Sequence, residues 1–193
     1  MPRRKEFEPD DVLDKAMALF WEKGYVQTSL DDLVQHTGVS LYGLYSTFGD
    51  KKELFIKVLD RYRHSVIAGL LGELNEPNAS LSAIRRYFEG FIEISKKPER
   101  KLGCLMCNTA IELSPHDDEI AQKVDAYLQQ VTSALHRALS NAVRQGELKP
   151  RTDVDALSDF LVGVVLGTCL YSRTPASSEA MEQYIKTALS VLN

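Results

Sequence analysis

Three cysteines, an odd number, are all that a disulfide framework would have to work with in this 193-residue chain. The first eleven residues, MPRRKEFEPDD, contain no apolar segment of the kind a secretion signal needs. Together these absences point to reduced thiols and a cytoplasmic location. Long hydrophobic runs are missing too. The longest uncharged, mostly apolar stretch, residues 160–171, falls well short of the ~20 residues a membrane span requires, so no membrane partner is expected. An excess of positive charge is also lacking: the net charge is −4, and residues 1–64 hold ten Lys or Arg against eleven Asp or Glu. Any affinity for nucleic acid must therefore come from where charges sit, not from their number. The sequence has no Ser/His/Asp order, phosphate loop or paired carboxylates, which argues against an enzyme and leaves no cofactor implied. His36, His64, His116 and His136 are scattered, and no metal site is expected; His116-Asp117-Asp118 after Pro115 reads as a helix cap.

What is present is helical periodicity, nearly everywhere. At 44% hydrophobic and 26% charged, the composition is that of an ordinary globular protein. Val12, Leu13, Ala16, Leu19 and Phe20 share one face of a helix over 10–23, closed by Gly24. Ser29 with Asp32 forms a capping box for a short helix that ends at Gly38. Ser40 caps another over 40–48, and Asp50 with Glu53 caps a long one over 50–74. Further helices follow at about 81–95, 104–113, 117–145, 153–173 and 178–192, with a charged loop, KKPERKLG, at 96–103. No run alternates with period two. The expectation is an all-α protein of about nine helices: an N-terminal three-helix helix-turn-helix head over 1–55, and a C-terminal helical bundle over 56–193.

Residues 38–54, GVSLYGLYSTFGDKKEL, hold the most informative segment. Its helix is two turns long, carries two tyrosines and bears no charge. Leu44 and Phe48, with Val39, can pack on Leu19, Phe20, Leu30, Leu33 and Val34, which accounts for one side only. Leu41, Tyr42, Gly43, Tyr45, Ser46 and Thr47 are left facing outward or sideways. Such a face suits a DNA major groove, with Gly43 allowing close backbone approach, Leu41 and Tyr42 meeting thymine methyls and base edges, and Tyr45 offering its hydroxyl to phosphate. Ser29 with the adjoining helix-start amides, and Lys51 and Lys52 at the next helix start, would hold phosphates. Arg3, Arg4 and Lys5 form a basic arm able to reach a minor groove. With so few cations, the salt dependence of DNA binding should be modest. The residues alone leave open an adaptor that docks this face on protein.

Element order and spacing together resemble the head of the TetR/AcrR family of bacterial transcriptional regulators over residues 9–58. The matching residues are Phe20, Gly24 and Tyr25; Thr28, Ser29, Leu30, Asp32 and Leu33; Gly38, Val39 and Ser40; Leu44, Tyr45 and Phe48; and Lys51, Leu54 and Phe55. The resemblance implies that the third helix reads bases, that Tyr45 contacts phosphate and that Lys51 anchors the fourth helix. Leu41 departs from the basic or polar residue many members carry there, favouring apolar contact over hydrogen bonding at that base.

One such head covers little of a groove, so two heads on a two-fold axis reading a palindromic operator are expected. The dimer surface is assigned to Leu161, Gly163, Val164, Gly167 and Leu170, with Met181, Tyr184 and Ile185 of the last helix; the glycines would permit close helix approach. The competing assignment is that these helices fill the monomer's own core. The resemblance implies a cavity for a small effector in the helices between head and dimer surface, whose occupation shifts the fourth helix. Tyr87, Phe91, Met106, Cys107, Ile111 and Tyr127 are its candidate walls and suit a small, mostly apolar molecule.

Cys104 and Cys107 form a C-x-x-C pair at a helix start, just after the basic residues Lys96, Lys97, Arg100 and Lys101. Zinc would need more ligands than the neighbourhood offers, and the βαβ context of a dithiol oxidoreductase is absent. That leaves a regulatory thiol pair or two small buried residues. The stretch from Gly103 through Cys104, Leu105, Asn108, Thr109, Ala110, Glu112 and Leu113 is similar to a subset of the same family. The leading expectation is a homodimeric, ligand-responsive repressor; the alternatives are the same scaffold driven by thiol oxidation, and the adaptor.

Overall fold

The computed structural model describes residues 7–97 and 102–193. The basic arm Arg3-Arg4-Lys5, and Arg100 and Lys101 of the charged loop, lie outside the described residues. Among those described there is no strand. The elements are α1 (Pro9–Lys23), α2 (Leu30–Thr37), α3 (Leu41–Phe48), α4 (Lys51–Tyr62), a π-helical stretch Arg63–Ile67 and the short α5 (Ala68–Leu70). A 3-10 turn at Glu73–Asn75 then leads to α6 (Leu81–Ser95), α7 (Leu105–Glu112), α8 (Asp118–Arg144), α9 (Val154–Tyr171), α10 (Ser178–Leu189) and a closing turn Ser190–Leu192. The chain forms two compact units: Met1–Val66 with Cys104–Val124, and Ile67–Gly103 with Asp125–Asn193. Packing thus divides the chain differently from the sequence boundary placed at 55/56, because Cys104–Val124 belongs with the first unit.

The first unit is built on caps that its sequence spells out. Ser29 accepts from the Asp32 amide while Asp32 accepts from the Ser29 amide, closing both ends of a capping box. Asp50 and Glu53 do the same for α4, and Ser40 accepts from the Gly43 amide to start α3. Gly38 ends α2 at φ 76°, a left-handed conformation in which a Cβ would be strained, and so makes the tight turn into α3 possible. The core gathers Val12, Ala16, Leu19, Phe20, Leu33, Val39, Leu44, Phe48, Leu54, Phe55, Val58 and Leu59, all buried. Each large side chain of that set contributes about 1.5–3 kcal/mol relative to exposure. Phe20 meets Phe55 edge-on at 4.9 Å between ring centroids, and Arg61 grips Asp14 through two bonds of 2.5 and 2.6 Å, joining α4 to α1.

The expected single helix over 50–74 is interrupted. Along α4 the buried positions are Leu54, Phe55, Val58, Leu59 and Tyr62, and the next is Ile67, five residues on instead of four. The π-helical stretch inserts that extra residue. Val66 and Ile67 are both apolar, so periodicity could not choose between them. The expected cap at the start of α8 holds: Asp117 accepts from the amides of Glu119 and Ile120.

In the second unit α10 packs on α6 and α9. Buried residues come from α6 (Ala83, Ile84, Phe88, Ile92), α8 (Val131, Leu135, Ala138, Leu139, Ala142), α9 (Leu161, Val164, Val165) and α10 (Met181, Ile185, Ala188, Leu189). The buried Asn141 amide donates to the carbonyls of Pro77 and Ala79, fixing the turn before α6. Glu147 then accepts from the Leu81 amide at the first turn of α6. By length and hydropathy α9 alone among the described helices could span a bilayer; a third of its residues are buried, the polar Ser158 and Thr168 among them.

Candidate nucleic-acid interface

The uncharged side of α3 stands out to solvent. Tyr42 is 85% exposed, and Leu41, Tyr45 and Ser46 are exposed beside it, while Leu44 and Phe48 fill the core from the opposite side. A tyrosine so open has no packing role within the chain, and its ring and hydroxyl are free to contact another surface. Gly43 and Thr47 are half-buried. A Cβ at Gly43 would come within 2.8 Å of the Val39 side chain and 3.3 Å of the Ser40 hydroxyl, so the turn into α3 already requires glycine there. Packing within the chain is enough to account for a glycine at this position.

The flanking groups divide into exposed and engaged. Ser29 lies exposed at the start of α2, its hydroxyl committed to the cap. Lys51 sits over the Tyr25 ring, its ammonium 4.3 Å from the centroid; burial lowers its pKa, and the nearby Glu112 charge opposes that effect. Lys52 is paired with Asp117 at 2.7 Å and Glu119 at 3.1 Å, bonds that raise its pKa. Its charge is therefore largely spent inside the unit, through two acids from a distant part of the sequence. Residue spacing along 50–54 carries no sign of that pairing.

This arrangement is an exposed, chargeless two-turn helix preceded by a left-handed glycine turn and framed by two capped helix starts. Residues 12–58 match the family described as bacterial regulatory proteins, tetR family, and residues 80–188 match the tetracyclin repressor-like C-terminal domain. The chain belongs to the TetR family.

Among relatives of this TetR-family regulator, the uncharacterized HTH-type transcriptional regulator YezE of Bacillus subtilis is 34% identical over the whole of both chains. The HTH-type transcriptional repressor ComR of Escherichia coli is 36% identical, covering 97% of this chain and 90% of its own. The fold is shared with CifR, a TetR-family regulator solved with double-strand operator DNA, at a TM-score of 0.87 and 21% identity over 97% of this chain and 98% of that one. The protein is a DNA-binding transcriptional regulator with a helix-turn-helix head.

The remaining expected sites of this TetR-family protein fare unevenly. Of the cavity candidates, Met106 and Cys107 are buried in the first unit, whereas Ile111 is 68% exposed, which sets it apart from an enclosed wall. Ile111 lies on the outer side of α7, whose buried residues are Leu105, Met106, Cys107 and Thr109. In the second unit Tyr127 is buried, and Tyr87 and Phe91 are half-buried with rings edge-on at 5.2 Å. A depression between α6 and α10, lined by Arg85, Glu89, Ile92, Ile185 and Lys186 among others, contains none of the expected wall residues.

Of the expected dimer residues, Leu161, Val164, Met181 and Ile185 are buried in the second unit's own core, as the competing assignment had it. For Leu161 and Val164 the sequence does not say which stripe faces inward, because α9 is apolar on nearly every side; Met181 and Ile185 lie on the buried side of α10. Gly163 and Leu170 are exposed, as is Tyr184 at 36%, and Gly167 is half-buried. A Cβ at Gly167 would come within 2.4 Å of the Tyr184 hydroxyl, so this glycine makes room for the chain's own α10. Phe160, 45% exposed and three residues before Gly163, is not among the expected residues yet continues the same stripe.

Cys104 is the N-cap residue of α7 and Cys107 lies in its first turn; both are buried, their sulfurs within 4.8 Å of one another, and the Tyr62 hydroxyl donates to the Cys104 sulfur at 3.5 Å.

Proposed function

We propose that this regulator is a homodimeric repressor that reads a palindromic operator with α3 and releases it when a small, mostly apolar effector binds the second half of the chain. The observation that carries the reading is the solvent-facing Tyr42 on a helix whose other side is wholly buried. On this reading Leu41, Tyr42, Tyr45, Ser46 and Thr47 meet the groove, and the starts of α2 and α4, with Lys51, meet phosphates. Replacing Tyr42 and Tyr45 together by alanine in the full-length protein removes sequence-selective binding in a gel shift. Selectivity equal to wild type would overturn the proposal, and an absence of any DNA shift by the wild type would favour the adaptor.

Dimerisation is supported by an outward stripe on α9, Phe160, Gly163 and Leu170, joined by Tyr184 of α10. The three α9 residues lie at spacings of three and seven, the period of a helix–helix seam. On the effector reading Tyr87, Phe91 and Tyr127 are its walls; what supports it is the buried Thr168 hydroxyl, which has no protein hydrogen-bond partner and would be satisfied by a polar group on the effector. An effector acts only through better binding to the form that does not hold DNA.

A second reading, regulation by oxidation, is favoured by the proximity of Cys104 and Cys107 at the start of α7. With a peroxide as oxidant, one thiolate takes oxygen to become a sulfenic acid as the peroxide O–O bond breaks. The second thiol then displaces water to form the disulfide. Peroxide should weaken operator binding by wild type and not by Cys104→Ser; equal responses in the two would eliminate the thiol route.

A further inference from the structure

The turn between α1 and α2 points two consecutive backbone N–H groups at a single side chain. The amides of Tyr25 and Val26 donate to the two carboxylate oxygens of Glu112, at 3.1 and 2.8 Å. Beneath the same carboxylate lies Gly24, at φ 83°, where an added Cβ would come within 3.0 Å of one carboxylate oxygen and 3.2 Å of the other. A turn of successive amides beside a positive-φ glycine is an anion seat, and here an internal anion fills it. Glu112 is also the last residue of α7, where a negative charge opposes the helix dipole. Its position is thus unfavourable for its own helix and favourable for the turn.

The seat leads to the DNA-facing lysine. The Tyr25 backbone is held by Glu112, while the Tyr25 ring packs on Phe55 at 4.9 Å and carries the Lys51 ammonium on its face. The Glu112 charge also acts directly on Lys51. Lys51 opens α4 next to the Asp50 cap.

We propose that Glu112 is a positioning residue for DNA binding: its carboxylate fixes the Gly24–Val26 turn, and thereby the tyrosine ring that presents the Lys51 ammonium to an operator phosphate. The inference rests on the reading of α3 and the start of α4 as the DNA face. It makes a residue 61 positions along the chain from Lys51, and outside the helix-turn-helix, part of the binding machinery.

The test uses full-length protein and a duplex that the wild type selects from a randomised pool, with binding followed by fluorescence anisotropy across a salt series. Glu112→Ala should weaken binding about tenfold and lower the slope of log K against log salt by about one, the loss of one phosphate contact. Lys51→Ala should do the same, and the double variant should be no worse than either single one, because both remove the same contact. Glu112→Gln keeps a carbonyl that can accept one of the two amide bonds and should recover part of the affinity. If Glu112→Ala proves unfolded by circular dichroism, the glutamine variant carries the test through its salt slope. Wild-type affinity in Glu112→Ala overturns the proposal. So does a loss with an unchanged slope that adds to the Lys51→Ala loss, since that would mark a purely structural residue. Should the wild type select no duplex, the DNA face itself fails, an outcome separate from any behaviour of Glu112.

Discussion

Helix α3 in the first unit and α9 in the second both carry outward apolar surface, and they are built on opposite plans. Helix α3 is eight residues long, with Leu44 and Phe48 buried on one side and Tyr42 open on the other. Apart from Leu41, its exposed residues Tyr42, Tyr45 and Ser46 carry hydroxyls and its buried pair does not, so the pattern separates the two sides. Helix α9 is eighteen residues long and apolar nearly all round: Leu161, Val164 and Val165 are buried, while Phe160 and Leu170 are exposed. Residue type does not separate its two faces. A helix with a clear polarity can be oriented from its sequence, and a helix without one is oriented by what packs against it.

The sharpest way to break that contrast is at α9's inner side. Leu161→Ala should cost about 2–5 kcal/mol in denaturant unfolding, the range for truncating a fully buried leucine. A loss below ~1 kcal/mol would return Leu161 to an outward face. Next comes the outer side, where Phe160→Glu should leave unfolding within about 0.5 kcal/mol of wild type, as for an exposed site. On the dimer reading it also lowers the sedimentation mass from twice 21.7 kDa to 21.7 kDa. An unchanged dimer would remove this stripe from the interface. At α3, Ser40→Ala deletes the hydroxyl that accepts from the Gly43 amide and should cost about 1 kcal/mol, measured by thermal unfolding.

The smallest expected effect concerns acid. The Lys23 ammonium, followed by the Ser29 amide and hydroxyl, holds the Asp32 carboxyl at about 2, below its ordinary 3.8. Because the folded value is depressed, the associated stability is present above pH ~4 and is lost as pH falls toward ~2. Asp32→Asn should therefore flatten the pH dependence of unfolding in that window and leave its shape at pH 7 unchanged. A pH profile in the variant superimposing on wild type between pH 4 and 2 would contradict the assignment.

Much of the first unit was legible because its signals are local. Ser29 with Asp32, Ser40, and Asp50 with Glu53 announce their helices within three residues, and each cap forms as the spacing requires. The helical angle that Tyr42 and Tyr45 make with Leu44 and Phe48 predicts them outward or sideways, and both are exposed. What escaped depended on partners distant in sequence. Lys52 reads as a free cation until Asp117 and Glu119 meet it, and Glu112 reads as an unremarked acid at a helix end until the Tyr25 and Val26 amides close on it. Gly43 and Gly167 invite a role in external approach, yet the space they leave is taken by Val39 and by Tyr184 of the same chain.

The order of residues by itself determined the helical class, the capped helix-turn-helix, the family likeness and the chargeless face of α3, because turn chemistry and the 3.6-residue period act over a few positions. Only the tertiary structure decided which stripe of α9 is core, that a π-helical insertion carries the buried line from Tyr62 to Ile67, and that the charges of Lys52 and Glu112 are used within the chain. Those outcomes turn on which segments come together, and the free energy of bringing them together depends on the whole core, not on any local run of residues.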